Sequence, residues 1–137
     1  MVQTAIFWPM IGLALVTLVV TLWLVVVRIK VTRSGDVNID YYTTYQKGTE
    51  PDYIIQATRN LTNLFDFPLL FYVACTLSYL TAIVDDTQLY LAWGYVALRA
   101  IHSLIHLTYN VVPHRLGVFL ISVAVLVALW VRFAMAL

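Results

Sequence analysis

Polar residues at helical spacing open the second long apolar run of the chain, where Arg59 is followed by Thr62, Asn63 and Asp66. On an α-helix these four side chains share one face about 100° wide. A charged side chain at the middle of a bilayer costs about 2.5 to 3.5 kcal/mol and usually faces a partner or a site. The spacing therefore predicts a polar face that contacts either a partner or a ligand.

A second polar face is predicted in the next apolar run, where Arg99, His102, His106 and Tyr109 follow one another at steps of three, four and three residues. Taken singly, they are typical of hydrogen-bonded residues inside a membrane bundle. His102 and His106 also allow a shared metal ion or haem, because two imidazoles four residues apart lie on one helical face. We favour the hydrogen-bonded interpretation and expect no metal.

Together the two faces suggest a pocket at one end of a bundle. Antiparallel neighbouring helices bring the start of one run beside the end of the next. Arg59, Arg115 and either Arg28 or Lys30, at the end of the first run, would make this end positively charged. Guanidinium groups bind carboxylates through paired hydrogen bonds. The pocket is therefore predicted to hold a small anionic ligand that carries a carboxylate.

The elements that carry these residues are predicted to be membrane helices. The chain has 137 residues, of which 62% are hydrophobic and 11% charged, a composition that cannot form an ordinary water-facing surface. A helix spans a bilayer with about 20 mainly apolar residues. Four runs qualify, at residues 4–28, 59–84, 88–109 and 115–136. We predict one all-α membrane domain over residues 1–137, a four-transmembrane-helix bundle with one sizeable loop at residues 29–57.

Prolines mark two features of the second run. Pro51 followed by Asp52 is typical of a helix start, so this helix is expected to begin within the loop. Pro68 lies inside the run beside the polar face, where it is expected to kink the helix.

The distribution of basic residues predicts the orientation in the membrane. Arg59 and Arg115 flank runs on the same side as the loop, whereas the opposite side has Asp85, Asp86 and only Arg132. The loop itself adds four basic residues: Arg28, Lys30, Arg33 and Lys47. Both termini are therefore expected to face away from the cytoplasm. The formal net charge is +1 and no polybasic tail indicates a nucleic-acid partner.

Residues 59–68 resemble the second-span signature of the MAPEG family, the membrane-associated proteins of eicosanoid and glutathione metabolism. That signature is an arginine, an asparagine four residues on, an acid three further and a nearby proline, matched here by Arg59, Asn63, Asp66 and Pro68. The total length, the long first loop and the stretch from Arg99 to Arg115 extend the resemblance over most of the chain, with bacterial members the most similar.

The resemblance implies a homotrimer that binds glutathione between neighbouring subunits near the cytoplasmic face, and a bacterial inner membrane. By position, Arg59, Asn63 and Asp66 would hold the peptide, with Arg28 or Lys30 contributing from the first span. Arg115 would stabilise the glutathione thiolate, the nucleophile that attacks an apolar electrophile. The implied activity is a glutathione-dependent membrane transferase or peroxidase.

Two departures from the family pattern concern the site. Asp66 stands where the family more often has glutamate, which shortens the reach by one methylene. His106 lies nine residues before Arg115, where relatives have a tyrosine. Either Tyr109 takes the place of that tyrosine or the contact is lost. His102, His106 and Tyr109 are the residues expected to line the pocket from the third run.

Other functions stay open at this point. The main alternative is a non-catalytic membrane scaffold or a binder of another small anion, because a fold does not determine an activity. A small multidrug transporter is less favoured, since the first span has no carboxylate to couple protons.

Overall fold

The computed structural model of the chain describes residues 2–46 and 48–137, and all the regular secondary structure within these residues is helical. A short 3₁₀ helix at Gln3–Ile6 leads directly into α1, which spans Phe7–Ser34. The other helices are α2 at Tyr41–Thr44, α3 at Asp52–Leu80, α4 at Asp86–Leu107 and α5 at Val112–Ala136. Lys47, one of the basic residues counted for the orientation, lies outside the described residues.

Local sequence explains where the helices begin and end. α1 continues past Arg28 and Lys30 and ends at Gly35, whose φ of 82° suits a residue without a side chain. The amide of Val37 then donates to the carbonyl of Val31. α3 begins directly after Pro51 with Asp52 in its first turn, and Pro68 lies inside it. Asp85 caps α4 by accepting a hydrogen bond from the amide of Gln88 at 2.8 Å.

Three segments are long and apolar enough to cross a membrane: Gln3–Ser34, Asp52–Leu80 and Val112–Ala136. The chain is therefore an integral membrane protein. α4 has 22 residues, but Arg99, His102 and His106 lower its mean hydropathy, so it is not among these three.

The packing of the helices explains how α4 carries so many polar residues. Both α3 and α4 contact each of the other three long helices, whereas α1 and α5 lie on opposite sides of this central pair. The apolar core runs through the middle of the bundle, where Phe71 of α3 stacks on Tyr95 of α4 with ring centroids 4.8 Å apart. The central position of α4 shields one of its faces from the surroundings, and the buried polar residues lie on that face.

Candidate functional site

The predicted polar face of α4 points into the bundle. Arg99, His102 and His106 are respectively 0%, 2% and 1% exposed, although all three are polar. Their spacing of three and four residues places them along one stripe of the helix. Tyr109, the last member of the predicted face, lies beyond the end of α4, is exposed, and has its ring 5.9 Å from that of His114. Three of the four predicted residues therefore come together.

α3 meets this face of α4 through one residue that was not predicted, Asn60, and one that was, Asn63. Asn60 is fully buried and its side-chain oxygen accepts a hydrogen bond from the Ser103 hydroxyl at 3.2 Å. Asn63 contributes its backbone carbonyl, which accepts from Nη2 of Arg99 at 2.6 Å. The carbonyl lies one turn before Pro68, which has no N–H to donate to Leu64. Arg99 therefore donates to the carbonyl next to the one, on Leu64, that Pro68 leaves without a helical donor.

Arg115, in the first turn of α5, is held by two neutral acceptors. Its Nη1 donates to Oδ1 of Asn110 at 2.8 Å and to Nε2 of His106 at 3.2 Å. A protonated imidazole could not accept this second bond, so His106 is neutral with its hydrogen on Nδ1. The backbone carbonyl of Arg115 in turn accepts from Nδ1 of His102 at 3.2 Å. The contacts fix one edge of the guanidinium, and within residues 2–46 and 48–137 they leave its Nε and Nη2 for another partner.

A cavity of about 200 Å³ opens beside the Arg115 side chain. Phe119 forms one wall, and its ring lies 5.2 Å from that of Phe67 and 5.8 Å from that of His102. The guanidinium of Arg99 lies 5.7 Å from the same ring. The residues that line the cavity are Asn63, His102, Val112, Arg115, Leu116 and Phe119. We refer to Asn63, Arg99, His102, His106, Asn110 and Arg115 as the arginine cluster.

The rest of the predicted face on α3 points away from the bundle. Arg59, Thr62 and Asp66 are exposed, and the Thr62 hydroxyl donates to the carbonyl of Thr58 in its own helix, at 3.1 Å. Within residues 2–46 and 48–137, neither Arg59 nor Asp66 forms an ion pair. Of the predicted α3 residues, only Asn63 reaches the cavity from the same chain.

The basic residues of α1 have separate surroundings. Nε of Arg28 donates to the Glu50 carboxylate at 3.0 Å, and Nη2 donates to the Thr58 hydroxyl at 2.9 Å. The guanidinium also lies over the Tyr42 ring, 5.3 Å from its centroid. Burial and the nearby Glu50 carboxylate raise the pKa of the Tyr42 hydroxyl. Lys30 is exposed on the outer surface of α1. Neither basic residue contacts the arginine cluster within one chain.

The opposite end of the bundle carries a second group of polar contacts. The Gln3 side chain bonds both backbone groups of Val84: its oxygen accepts from the amide at 2.9 Å and its nitrogen donates to the carbonyl at 3.3 Å. Asp85, beside it, pairs with Arg132 of α5. This hydrogen bond from Arg132 and the one from the Gln88 amide lower the pKa of the Asp85 carboxyl. We refer to Gln3, Val84, Asp85 and Arg132 as the turn cluster.

The sequence reasoning missed several residues that the structure places at the site. Asn60 follows Arg59 directly and could have been recognised, because it falls in register with Leu64 and Phe71 on the buried face. Phe119 could not have been identified, because an apolar side chain within an apolar run gives no indication of a site. No group of three or more His, Cys, Asp or Glu able to hold a metal ion occurs in the part of the chain that the structure describes.

Comparison with known protein families gives one match, to the family model described as MAPEG family, over residues 6–135. The matched range contains all of the arginine cluster and most of the turn cluster. Comparison with curated proteins finds no match. Comparison with solved structures finds none either.

Proposed function

This chain belongs to the MAPEG family, and from that premise we propose that it is a glutathione-dependent membrane transferase or peroxidase acting on apolar electrophiles. The proposal rests on the surroundings of the Arg115 side chain. Its guanidinium lines a cavity, and two neutral acceptors hold one of its edges. No carboxylate in residues 2–46 and 48–137 neutralises it.

An arginine in this state suits the activation of a thiol. A free thiol has a pKa of about 8.5, and only its thiolate is a strong nucleophile. A fixed cation lowers that pKa and stabilises the thiolate at neutral pH. The thiolate sulfur then forms a bond to the electrophilic atom of the second substrate, whose leaving group departs with its electron pair. Arg115 is the catalytic residue of this step.

We assign the binding of the glutathione peptide to Arg59, Asn63 and Asp66, with a basic contact from α1. The carboxylate of Asp66 suits the amino group of the peptide, and the Arg59 guanidinium suits one of its carboxylates. Lys30 is exposed, whereas Arg28 is engaged with Glu50, so Lys30 is the better placed of the two on α1. His102 contributes to the ligand cavity directly and His106 acts through Arg115; Tyr109 would contact the ligand at the cavity rim.

The exposed polar face of α3 supports a homotrimer with the ligand between copies. A lipid-facing arginine and aspartate are costly within a membrane helix. A neighbouring copy that covers Arg59 and Asp66 removes that cost. It also completes the site, because within one chain Asn63 lines the cavity while Arg59 and Asp66 lie on the outer face of α3. In the proposed trimer, α4 is the fourth membrane-spanning helix of a single domain over residues 1–137. Its 22 residues extend about 33 Å, enough for a bilayer core of about 30 Å, with the polar stripe turned inward.

The apolar second substrate is expected to reach the site from the lipid. A groove of about 560 Å³ runs between α1 and α3 and is lined almost entirely by apolar side chains, among them Leu18, Phe65 and Leu69. Phe65 lies next to Asp66 in sequence, so the groove reaches the level of the outward polar face. With the loop on the cytoplasmic side, the glutathione end of the site would face the cytoplasm and both termini would lie opposite.

Calorimetric titration of the detergent-purified protein with glutathione tests the proposal. We expect saturable binding that weakens about tenfold or more in Arg115→Ala and in Asp66→Ala, since each removes a charged contact. Arg132→Ala is the matched control, because it removes a guanidinium at the far end of the bundle. The mass of the protein in detergent should correspond to three chains. Absent binding in a well-folded trimer would contradict the proposal and favour a non-catalytic protein or a binder of another anion.

A further inference from the structure

His102 has one ring nitrogen whose protonation the structure fixes. Its Nδ1 lies 3.2 Å from the backbone carbonyl oxygen of Arg115. A carbonyl oxygen can only accept a hydrogen bond, so Nδ1 carries the hydrogen of the neutral ring. Nε2 therefore carries a lone pair.

The lone pair of Nε2 has no hydrogen-bond partner within residues 2–46 and 48–137. The ring is 2% exposed and lines the same cavity as Arg115. A buried acceptor without a partner is uncommon in folded proteins and calls for an explanation such as a catalytic role. Proton transfer requires the base to lie beside the group that loses the proton, and a ligand in this cavity would contact both His102 and Arg115.

We propose that His102 is the general base that deprotonates the glutathione thiol, an inference that rests on the function proposed above. The S–H bond breaks, its electron pair stays on sulfur, and the proton forms an N–H bond at Nε2 of His102. The thiolate is left beside the Arg115 guanidinium. After the sulfur attacks the electrophile, the imidazolium returns its proton to the leaving group or to water, which restores the neutral ring.

The charges around His102 keep its ring neutral until a thiolate is present. Arg99 and His106 flank it on α4, Arg115 faces it from α5, and α3 presents the uncharged Asn63, with Asp66 turned to the outside. Two guanidinium groups disfavour an isolated imidazolium, so the ring stays neutral in the empty site. Once a thiolate forms in the cavity, the imidazolium and the thiolate together carry no net charge. Proton transfer is thereby coupled to the arrival of the thiol.

His106 provides a matched comparison on the same helix. It is equally buried, but its Nε2 already accepts a hydrogen bond from Arg115. Protonation of His106 would break that bond and place a second cation against the guanidinium. His106 is therefore a positioning residue for Arg115, whereas His102 exchanges a proton with the substrate.

The test counts the protons released when the complete protein binds glutathione in a weakly buffered solution with a pH indicator. Thiolate formation is followed in parallel by its ultraviolet absorbance. S-Methylglutathione, which has no thiol proton, corrects for all other protonation changes. We expect wild-type protein to form the thiolate with about zero net release of the thiol proton. Release of about one proton per thiolate formed would overturn the role of His102 and leave the proposed function intact.

Variants separate the base from the positioning residue. His102→Gln should release about one proton per thiolate formed and should lower kcat about 100-fold, within the usual contribution of a general base. His106→Gln, whose side-chain oxygen can still accept from Arg115, should keep the wild-type proton count. Equal proton counts and equal rates in the two variants would overturn the inference. Failure of wild-type protein to bind glutathione would overturn both this role and the proposed function.

Discussion

The turn cluster and the arginine cluster, at opposite ends of the helical bundle, differ in the groups that their arginines contact. In the turn cluster, Arg132 pairs with the Asp85 carboxylate, and the side chain of Gln3 satisfies both backbone groups of Val84. In the arginine cluster, the acceptors that Arg99 and Arg115 have among the described residues are all neutral. Positive charge is thus neutralised in the turn cluster and preserved in the arginine cluster.

This difference separates a structural contact from a site prepared for a ligand. An arginine paired with a carboxylate has little to gain from an anionic ligand, because binding would first have to break the pair. Arg115 has neutral partners that orient it without cancelling its charge. The burial of Arg99 without an ion pair is costly for the fold and is expected to be retained for function. The comparison therefore predicts opposite results for variants at the two ends.

Arg115→Ala should have the largest effect. Loss of the guanidinium is expected to lower kcat/KM about 100-fold or more, as the removal of one transition-state hydrogen-bond donor typically does. The measurement is glutathione conjugation to an apolar aryl halide in detergent. The midpoint of thermal unfolding should change little, because the side chain is half-buried. A variant with wild-type kinetics would show that the thiolate is stabilised elsewhere.

Arg99→Met should separate stability from function at the same end. A buried charge with neutral partners often destabilises relative to an apolar side chain of similar size, so we expect the free energy of unfolding to rise by about 1–2 kcal/mol. Glutathione binding should weaken, because the carbonyl of Asn63 loses its donor and the wall of the cavity shifts. Thermal unfolding measures the change in stability and calorimetry measures the affinity for glutathione, both on the same preparation. A fall in stability with unchanged binding would assign Arg99 a structural role.

Asp85→Ala should reverse that pattern at the turn cluster. The variant loses the cap of α4 and the pair with Arg132, which together stabilise the fold by about 1–2 kcal/mol. Its kcat/KM should remain within about twofold of wild type. Asp86→Ala, one residue along in the same turn, is the matched control and should destabilise less. Activity that falls with Asp85→Ala but not with Asp86→Ala would break the proposed separation of the two ends.

The smallest expected effect is a pH dependence of the turn cluster. Because its contacts lower the pKa of Asp85 from an ordinary value of about 3.8, the stabilisation is present above that pH and is lost as the pH falls through the lowered pKa. The side chains of Arg132 and Asp85 are 41% and 38% exposed, so the pair contributes less than about 1 kcal/mol. Asp85→Asn keeps a capping oxygen and removes the charge. Its difference from wild type in thermal unfolding should therefore shrink as the pH falls below about 3.8, and a constant difference would contradict the assignment.

Part of the site could be predicted from sequence because helical spacing alone brings Arg99, His102 and His106 onto one face. The start of α3 at Pro51 and Asp52 was also predicted, and it is confirmed by the helix that spans Asp52–Leu80. Membership of the MAPEG family, predicted from residues 59–68 and the stretch around Arg99, is confirmed by the match over residues 6–135.

The direction of the polar face on α3 could not be predicted. A membrane helix is apolar on its lipid side and on its packed side, so the contrast that orients a helix in water is missing. Within one chain Asn60 points inward while Arg59 and Asp66 point outward. In the proposed trimer the partner of this face belongs to another copy, and the sequence of one copy does not identify it. Contacts such as Arg28 with Glu50 depend on how the loop folds back, which spacing along a helix does not encode.

Asn110 joins two requirements in one residue. Its backbone has a φ of 47°, a conformation that asparagine tolerates better than most residues, and its side chain accepts the hydrogen bond from Arg115. Glycine would suit the backbone but could not accept the bond, and aspartate would accept it but would neutralise the charge. Among the twenty amino acids, asparagine alone meets both needs well. A library with all twenty amino acids at position 110 should therefore contain many variants that fold and very few that turn over substrate. Folding and catalysis can then be measured separately at a single position.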